Sequence, residues 1–305
     1  MREPGSLLVL FPGALGDFLC LWPALRVLER QHPRATLVAR PSFFALLDAG
    51  SWRTISIDRR EVADLYGSAP LGEETRAVFA GHARVLSWSG AGDERFAARL
   101  REASAGAVSI FPFRGMGPGE HAAAYYARCA GIALAPCRFD PPPDGAAWAG
   151  ELWRRHGLRS PVLAVHAGSG AERKNWEGMG EIAARWLRER GSVVALVGAA
   201  EQERGTVIPC TVVVENESLP RVAAVLQRAD VYLGNDSGLS HLAGIVGAGG
   251  LALFGPSDPA VWRPLGGGIE ALATERRCAR CEGRFCLHQL PVEQVWCRLE
   301  ARSTG

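Results

Sequence analysis

The chain has 305 residues, of which 48% are hydrophobic and 22% charged, with 36 Gly and 19 Pro. This length suggests two domains, each large enough to bury a hydrophobic core of its own. The 34 basic and 32 acidic residues leave a formal net charge of +2, which gives no support to a dedicated nucleic-acid-binding protein. Nearly all the basic residues are arginine, because Lys174 is the only lysine in the chain.

The beginning of the chain predicts neither a secretory signal nor a membrane anchor. The apolar run from Leu7 to Phe11 is short, whereas a signal core needs about 7–15 apolar residues and a membrane-spanning helix about 20. Four glycines interrupt the most apolar later run, from Leu242 to Phe254. We therefore expect a soluble cytoplasmic protein, in which cysteines are more often free thiols or metal ligands than disulfides.

Apolar runs of strand length alternate with helical patterns through the first half of the chain. This alternation predicts βαβ units and a parallel sheet, because parallel strands are usually joined by helical crossovers. The predicted strands are 7–11, 35–39, 54–57, 85–88 and 108–111, and the clearest predicted helices are 18–31, 94–103 and 120–130.

Three consecutive prolines, Pro141 to Pro143, interrupt this pattern and predict a linker. We expect a first domain over residues 1–143, a second over 144–290, and a last helix within 291–305. Both halves open with a strand, a glycine loop and a helix, so the predicted class is α/β with two Rossmann-like domains. In the second half the predicted strands are 161–166, 192–198, 211–214, 231–233 and 251–254, and the predicted helices are 179–190, 219–228, 237–246 and 292–302.

Common nucleotide and hydrolase motifs are absent. The segment from Gly168 to Gly170 lacks the third glycine of G-x-G-x-x-G, and the surroundings of Lys174 do not fit G-x-x-x-x-G-K-[ST]. The chain also lacks the G-x-S-x-G motif that an α/β-hydrolase requires. Ligands of parallel sheets bind at the carboxyl ends of strands, so three loops there are the candidate site.

The first loop is Gly13–Asp17, which leads into the first helix. A helix N-terminus stabilises an ionised carboxylate, so Asp17 is a candidate catalytic group. The alternative is that Asp17 is an ordinary helix cap.

The second loop, residues 166–176, follows the first strand of the second domain. Its small residues allow backbone N–H groups to approach an anion, and Lys174 supplies a compact positive charge for a phosphate. The alternative, a solvated loop with an incidental lysine, is weakened because every other basic position in the chain is arginine.

The third loop, residues 234–241, joins a strand to a helix. Ser237 and the N–H groups after it form an anion site of the kind found at helix N-termini. His241 follows one turn later, where it can face the same ligand, although a lone histidine is more often structural.

Four segments resemble glycosyltransferase family 9, the bacterial heptosyltransferases: LLVLFPGALGDFLCLWPALRVL, VHAGSGAERKNW, LVGAAEQE and DVYLGNDSGLSHLAGIVGAGGLALFGPSDP. The resemblance implies a GT-B fold, in which two Rossmann-like domains face a central cleft and the last helix packs back on the first domain. It also implies inverting transfer of a heptose from ADP-heptose to a lipopolysaccharide inner-core sugar, with no cofactor required for catalysis.

The resemblance also assigns roles to residues. It makes Asp17 the base that deprotonates the acceptor hydroxyl, and Glu201 the group that holds the nucleoside. Gly13 and Arg114 are candidates for acceptor binding, although the loop around Arg114 also fits an ordinary flexible turn. One departure is Glu177 after Trp176, where the family usually has proline. The donor-binding residues implied are Ser169, Gly170, Lys174, Glu201, Asp236, Ser237, Gly238 and His241.

Half of the cysteines lie near the end of the chain, at Cys278, Cys281, Cys286 and Cys297. The C-x-x-C spacing suits a structural Zn or Fe site, and four thiolates can close a tetrahedral site. The spacing is uneven and Cys297 falls in a predicted helix, so free or packed thiols are the alternative.

The expected partners are a nucleotide-sugar donor and a lipid-linked saccharide at the inner membrane surface, with no nucleic acid. Alternatives are another nucleotide-sugar, a protein acceptor, or a non-catalytic nucleotide-sugar-binding module. Asp17 argues against the last of these, because binding alone does not require a base.

Overall fold

A computed structural model describes residues 6–104, 106–198, 201–202, 207–275 and 286–303. The chain divides into two compact units, Met1–Ala135 and Pro136–Gly305, so the division precedes the proline run on which the expected boundary was based. Each unit has a parallel sheet and helices, which confirms the α/β prediction. In the described part of the chain, no helix combines the length and the hydropathy needed to span a bilayer.

The first unit contains a five-stranded parallel sheet in the order β3-β2-β1-β4-β5. All four residues of the central strand β1 are apolar and fully buried, as is usual for strands of a parallel sheet. The strand order reverses beside β1, and this is the place where open parallel sheets bind ligands. Its strands are β1 Leu7–Leu10, β2 Ala35–Ala39, β3 Trp52–Ser56, β4 Arg84–Ser87 and β5 Ala107–Ile110, and its α-helices are α1 Leu15–Gln31, α2 Arg60–Ala63, α3 Glu73–Phe79, α4 Glu94–Ala103 and α5 Ala122–Ala130.

The second unit contains a six-stranded parallel sheet in the order β11-β10-β9-β6-β7-β8. Its first helix begins at Pro143. Proline is favoured at the first position of a helix because the backbone N–H groups of the first turn have no acceptor within the helix, so the missing N–H of proline breaks no helical hydrogen bond. The last proline of the expected linker thus opens a helix. The strands are β6 Leu163–His166, β7 Val193–Val197, β8 Val212–Glu215, β9 Val231–Asn235, β10 Gly249–Phe254 and β11 Gly268–Ala273, and the α-helices described are α6 Pro143–Arg155, α7 Met179–Glu189, α8 Leu219–Arg228, α9 Gly238–Val246, α10 Pro259–Trp262 and α11 Val292–Ser303.

The last helix, α11, packs in the second unit, where it contacts α7 and the strands β9 and β10. Its buried residues Val295, Trp296 and Leu299 join the core cluster of that unit. The ring of Trp296 meets the ring of Trp186 edge-on, at 5.9 Å between centroids. The apolar stripe of α11 therefore packs into the core of the second unit, and packing of the helix on the first domain stays a prediction.

Replacing the buried indole of Trp296 tests this packing. We expect Trp296→Ala to lower the free energy of unfolding of the second unit by about 3–5 kcal/mol, because it removes a large core side chain and leaves a cavity. Urea denaturation followed by circular dichroism measures the change. Cys297→Ala, at the exposed neighbouring position, is the matched control. Equal stability of the two variants would contradict the packing.

Candidate functional site

Two strands at the middle of the second sheet place two of the predicted loops side by side. Strand β6 pairs in parallel with β9, with His166 opposite Gly234. Because parallel neighbours end at the same edge of a sheet, the loop after β6 and the loop after β9 leave the sheet together. This pairing brings together residues that lie far apart in the sequence.

The contact between these loops is an ion pair. Lys174 Nζ lies 2.6 Å from Asp236 Oδ2, and the side chains are 27% and 7% exposed. The Asp236 backbone N–H donates to the Leu253 carbonyl, at 2.9 Å, which ties the loop to β10. The structure therefore brings Lys174 to the Asp236 segment, as expected if both residues act on one ligand.

Helix α9 begins directly after this ion pair. Ser237 is its N-cap, and the Ser237 hydroxyl accepts from the Ser240 N–H at 3.4 Å. Gly238 is the first helical residue, and His241 is buried one turn later, where its N–H donates to the Ser237 carbonyl. A helix N-terminus carries partial positive charge and N–H donors, so it favours an anion beside Lys174.

The loop after β6 has internal hydrogen bonds that shape it. The Ser169 hydroxyl lies 2.6 Å from both the Ala171 carbonyl and the Asn175 Oδ1. Gly170 is exposed, and an added Cβ there would have open space around it. Ser169 thus stabilises the loop, and direct contact of Ser169 and Gly170 with a ligand stays a prediction.

Sequence reasoning did not single out Asn235, the last residue of β9. Its side chain is completely buried and contacts the β6 loop at two places. The available signal was a carboxamide at the end of the strand VYLGN, where it follows an apolar run. A buried amide of this kind needs hydrogen-bond partners, which points to a nearby backbone segment.

Glu201 lies beside the start of the same loop. Its carboxylate accepts from the Gly198 N–H at 2.8 Å, and the residue is 6% exposed. A Cβ on Gly168 would lie 1.7 Å from Glu201 Oε1, so any larger residue at that position would displace the Glu201 side chain. Burial lowers the pKa of the neighbouring His166, whose Nδ1 lies 3.1 Å from the Leu196 carbonyl oxygen.

In the first unit, the expected catalytic carboxylate stands in the first turn of α1. The helix begins at Leu15, earlier than predicted, so Asp17 is its third residue and Asp17 Oδ2 accepts from the Ala14 N–H at 3.3 Å. Arg114 Nη2 lies 3.9 Å from Asp17 Oδ1. Asp17 is 7% exposed, whereas the Arg114 side chain is 64% exposed. The structure thus places Arg114, a candidate for acceptor binding, near Asp17, the candidate catalytic base.

A cluster of aromatic rings lies near Asp17 and Arg114. The Phe11 ring lies 5.8 Å from Phe113 and 5.3 Å from Tyr126, between centroids. Burial, followed by the negative charge of Asp17, raises the pKa of Tyr126. A Cβ on Gly13 would lie 2.4 Å from Phe11 Cε1. Gly13 therefore allows the turn to pass over the Phe11 ring, and its contact with an acceptor stays a prediction.

The predicted cysteine cluster is only partly described. Cys278 and Cys281 lie outside the described residues. Cys286 is buried with its Sγ 3.9 Å from His288 Nδ1, and Cys297 is exposed on α11. Among the residues that the structure describes, no group of three or more His, Cys, Asp or Glu side chains is arranged to hold a metal ion. A four-cysteine Zn or Fe site stays a prediction.

The two parallel-sheet α/β units are of the type found in the GT-B fold. Solved structures support this fold. A glycosyl transferase family 9 protein from Veillonella parvula superposes with a TM-score of 0.75 at 19% identity, over 98% of this chain and 97% of that one. E. coli ADP-heptose lps heptosyltransferase II gives 0.70 at 18% identity, over 97% and 98%. E. coli heptosyltransferase WaaC with ADP-2-deoxy-2-fluoro heptose gives 0.64 at 20% identity, over 97% and 99%.

Sequence comparison finds a match to one protein family. Residues 147–290 match the model of Glycosyltransferase family 9 (heptosyltransferase), the family that the four sequence segments resemble. Lipopolysaccharide heptosyltransferase 1 of Pseudomonas aeruginosa is 32% identical over 142 residues, which are 44% of this chain and 40% of that protein. The match therefore spans well under half the length of this curated relative. The residues that match the family model include the Lys174–Asp236 pair and the start of α9.

The contact of Gly168 with Glu201 generates a prediction. We expect Gly168→Ala to lower the free energy of unfolding by about 1–3 kcal/mol, because a methyl group would overlap Glu201 Oε1 and displace it. Gly170→Ala, two positions away in open space, should change stability by less than about 0.5 kcal/mol. Thermal and urea denaturation measure both variants. A Gly168→Ala protein as stable as Gly170→Ala would show that Glu201 is not held against the loop.

Proposed function

We propose that the protein is an inverting glycosyltransferase that transfers a heptose from ADP-heptose to a sugar of the lipopolysaccharide inner core. The observation that carries the proposal is the Lys174–Asp236 pair beside the start of α9, within the segment that matches the model of glycosyltransferase family 9. The name of the P. aeruginosa relative and the ADP-linked fluoro-sugar in the WaaC structure support this choice of sugar and nucleotide.

The donor diphosphate binds to the second unit in this proposal. The Lys174 ammonium and the N–H groups after Ser237 face the diphosphate, and Gly238 allows its close approach. These groups stabilise the charge that develops on the leaving diphosphate, which is the largest electrostatic demand of the reaction. We propose that they make a divalent cation unnecessary for catalysis. Glu201 binds the nucleoside, and Ser169, Gly170, Asp236 and His241 complete the donor site.

Asp17 is the proposed catalytic base. The acceptor hydroxyl oxygen attacks the anomeric carbon of the donor sugar, its proton moves to an Asp17 carboxylate oxygen, and the bond from the anomeric carbon to the diphosphate breaks. Attack opposite to the leaving group inverts the configuration. The N-terminus of α1 and the nearby Arg114 guanidinium favour the ionised carboxylate that this step requires.

Arg114 also has a proposed role toward the acceptor. Its side chain is largely exposed, so its guanidinium can bind a carboxylate or phosphate on the acceptor saccharide while staying near Asp17. Gly13 provides backbone in the same region. A lipid-linked inner-core saccharide is an anionic acceptor of this chemistry, and we propose that the protein meets it at the inner membrane surface from the cytoplasm.

A thermal-shift panel of nucleotides tests the donor assignment. We expect ADP and ADP-heptose to raise the melting temperature more than UDP, GDP and their sugars, because a ligand at about 100 times its Kd stabilises a protein by about 2.7 kcal/mol. A larger rise in melting temperature with UDP or GDP sugars would indicate a donor other than ADP-heptose. Full binding without transfer to saccharide or protein acceptors would indicate a non-catalytic binding module.

Loss of the base should separate catalysis from donor binding. We expect Asp17→Asn to lower the transfer rate by about 10²–10⁴-fold, because the acceptor hydroxyl loses its proton acceptor. The Kd for ADP should not change, because Asp17 belongs to the first unit. Single-turnover kinetics and calorimetry provide the two measurements. Asp48→Asn, at an exposed position of the same unit, is the control. Turnover by Asp17→Asn near the wild-type rate would exclude this base.

A further inference from the structure

The buried carboxamide of Asn235 has a geometry that goes beyond the proposed contacts with substrate. Asn235 ends β9 and is 0% exposed. Its Oδ1 accepts from the Trp176 backbone N–H at 3.0 Å, and its Nδ2 donates to the Ala167 carbonyl at 2.6 Å. One side chain from a neighbouring strand therefore holds both ends of the segment 168–175.

The chemistry of these two bonds is specific to asparagine. The Trp176 N–H is a hydrogen-bond donor and the Ala167 carbonyl is an acceptor. A carboxamide matches both, because it has a carbonyl oxygen that accepts and an NH₂ group that donates. An aspartate would place an oxygen against the Ala167 carbonyl, and an apolar side chain would leave both backbone groups without these bonds. A buried polar group left unsatisfied costs about 1–3 kcal/mol.

The hydrogen bonds within the segment shape its tip. The Lys174 N–H donates to the Ala171 carbonyl at 2.9 Å, and the Asn175 N–H to the Glu172 carbonyl at 2.8 Å. These bonds connect residues of the segment to one another. Asn235 connects both ends of the segment to the sheet.

The backbone of Asn235 is held as well. Its carbonyl oxygen accepts a hydrogen bond from the Ser240 hydroxyl at 2.5 Å. The Ser240 hydroxyl oxygen also lies 3.0 Å from the Tyr232 hydroxyl oxygen. The next residue, Asp236, pairs with Lys174. Asn235 is thus joined to the first turn of α9 and to both ends of the segment that carries Lys174.

We propose that Asn235 is a positioning residue that closes the base of the segment 168–175 and so holds the Lys174 ammonium beside the start of α9. Asn235 acts through Lys174 and does not itself touch the ligand. The inference rests on the proposed function in one respect, namely that the anion bound by Lys174 is the diphosphate of a nucleotide. The position of the segment itself can be measured without any ligand.

A double-mutant cycle tests the action through Lys174, with ADP as the probe and calorimetry as the measurement. We expect Asn235→Ala to raise the Kd for ADP about tenfold, which corresponds to about 1.4 kcal/mol. In a Lys174→Met background, which keeps the aliphatic stem, the same substitution should raise the Kd less than about twofold. Equal effects in both backgrounds would overturn the proposal, because Asn235 would then act independently of Lys174.

Limited digestion with trypsin supplies a measurement without ligand, because the segment contains Arg173 and Lys174. We expect Asn235→Ala to speed cleavage after these residues at least about tenfold, detected by mass as fragments that begin at Lys174 or Asn175. Asn235→Asp keeps the bond from Trp176 and loses the one to Ala167, so it should also speed cleavage. If Asn235→Ala does not fold, Asn235→Asp takes its place in the digestion experiment.

Ser192→Ala is the matched control for loss of stability. Ser192 is buried immediately before β7, and its hydroxyl accepts from the Arg159 N–H at 2.8 Å, so the variant loses a hydrogen bond elsewhere in the same unit. It should leave ADP affinity and cleavage at Lys174 unchanged. Cleavage in both Asn235 variants no faster than in Ser192→Ala would overturn the proposal. Absence of ADP binding by the wild-type protein would instead overturn the proposed donor, and the digestion would still decide the role of Asn235.

Discussion

The parallel pairing of β6 with β9 is the constraint on which the candidate donor site depends. It places the ends of two strands side by side. As a result, three successive residues at the point where β9 ends make three different contacts. Asn235 holds the base of the neighbouring segment, Asp236 pairs with Lys174, and Ser237 caps α9. A change in register by one residue would direct alternate side chains to the opposite face of the sheet and separate these contacts.

The general fold was largely predictable because the strands of a buried parallel sheet are apolar along their whole length. The strand 35–39 and the helices 94–103 and 219–228 agree with the structure at both ends. The strand Gly268–Ala273 was missed because it lies at the edge of the sheet, is half-buried and follows a run of glycines. Pro143 belongs to the predicted linker but is the first residue of α6, because proline is tolerated in the first turn of a helix.

The site was predictable in composition and less so in its contacts. Glycines and polar residues after the strands located the loops, and the lone lysine marked one of them. The pairing of Lys174 with Asp236 joins residues 62 positions apart, which no local pattern indicates. The approach of Arg114 to Asp17 likewise depends on strand order, because β5 lies two strands from β1. Asn235 was missed because its partners are backbone groups, which every sequence has.

The ion pair of Lys174 with Asp236 has a consequence for folding as well as for ligand binding. A partly buried ammonium without a counterion would carry a desolvation penalty whenever the site is empty. Asp236 supplies the opposite charge within the protein itself, so the second unit can fold before any anion arrives. Under the proposed function, the donor diphosphate meets a cation that already has a partner, so its affinity reflects an exchange of counterions.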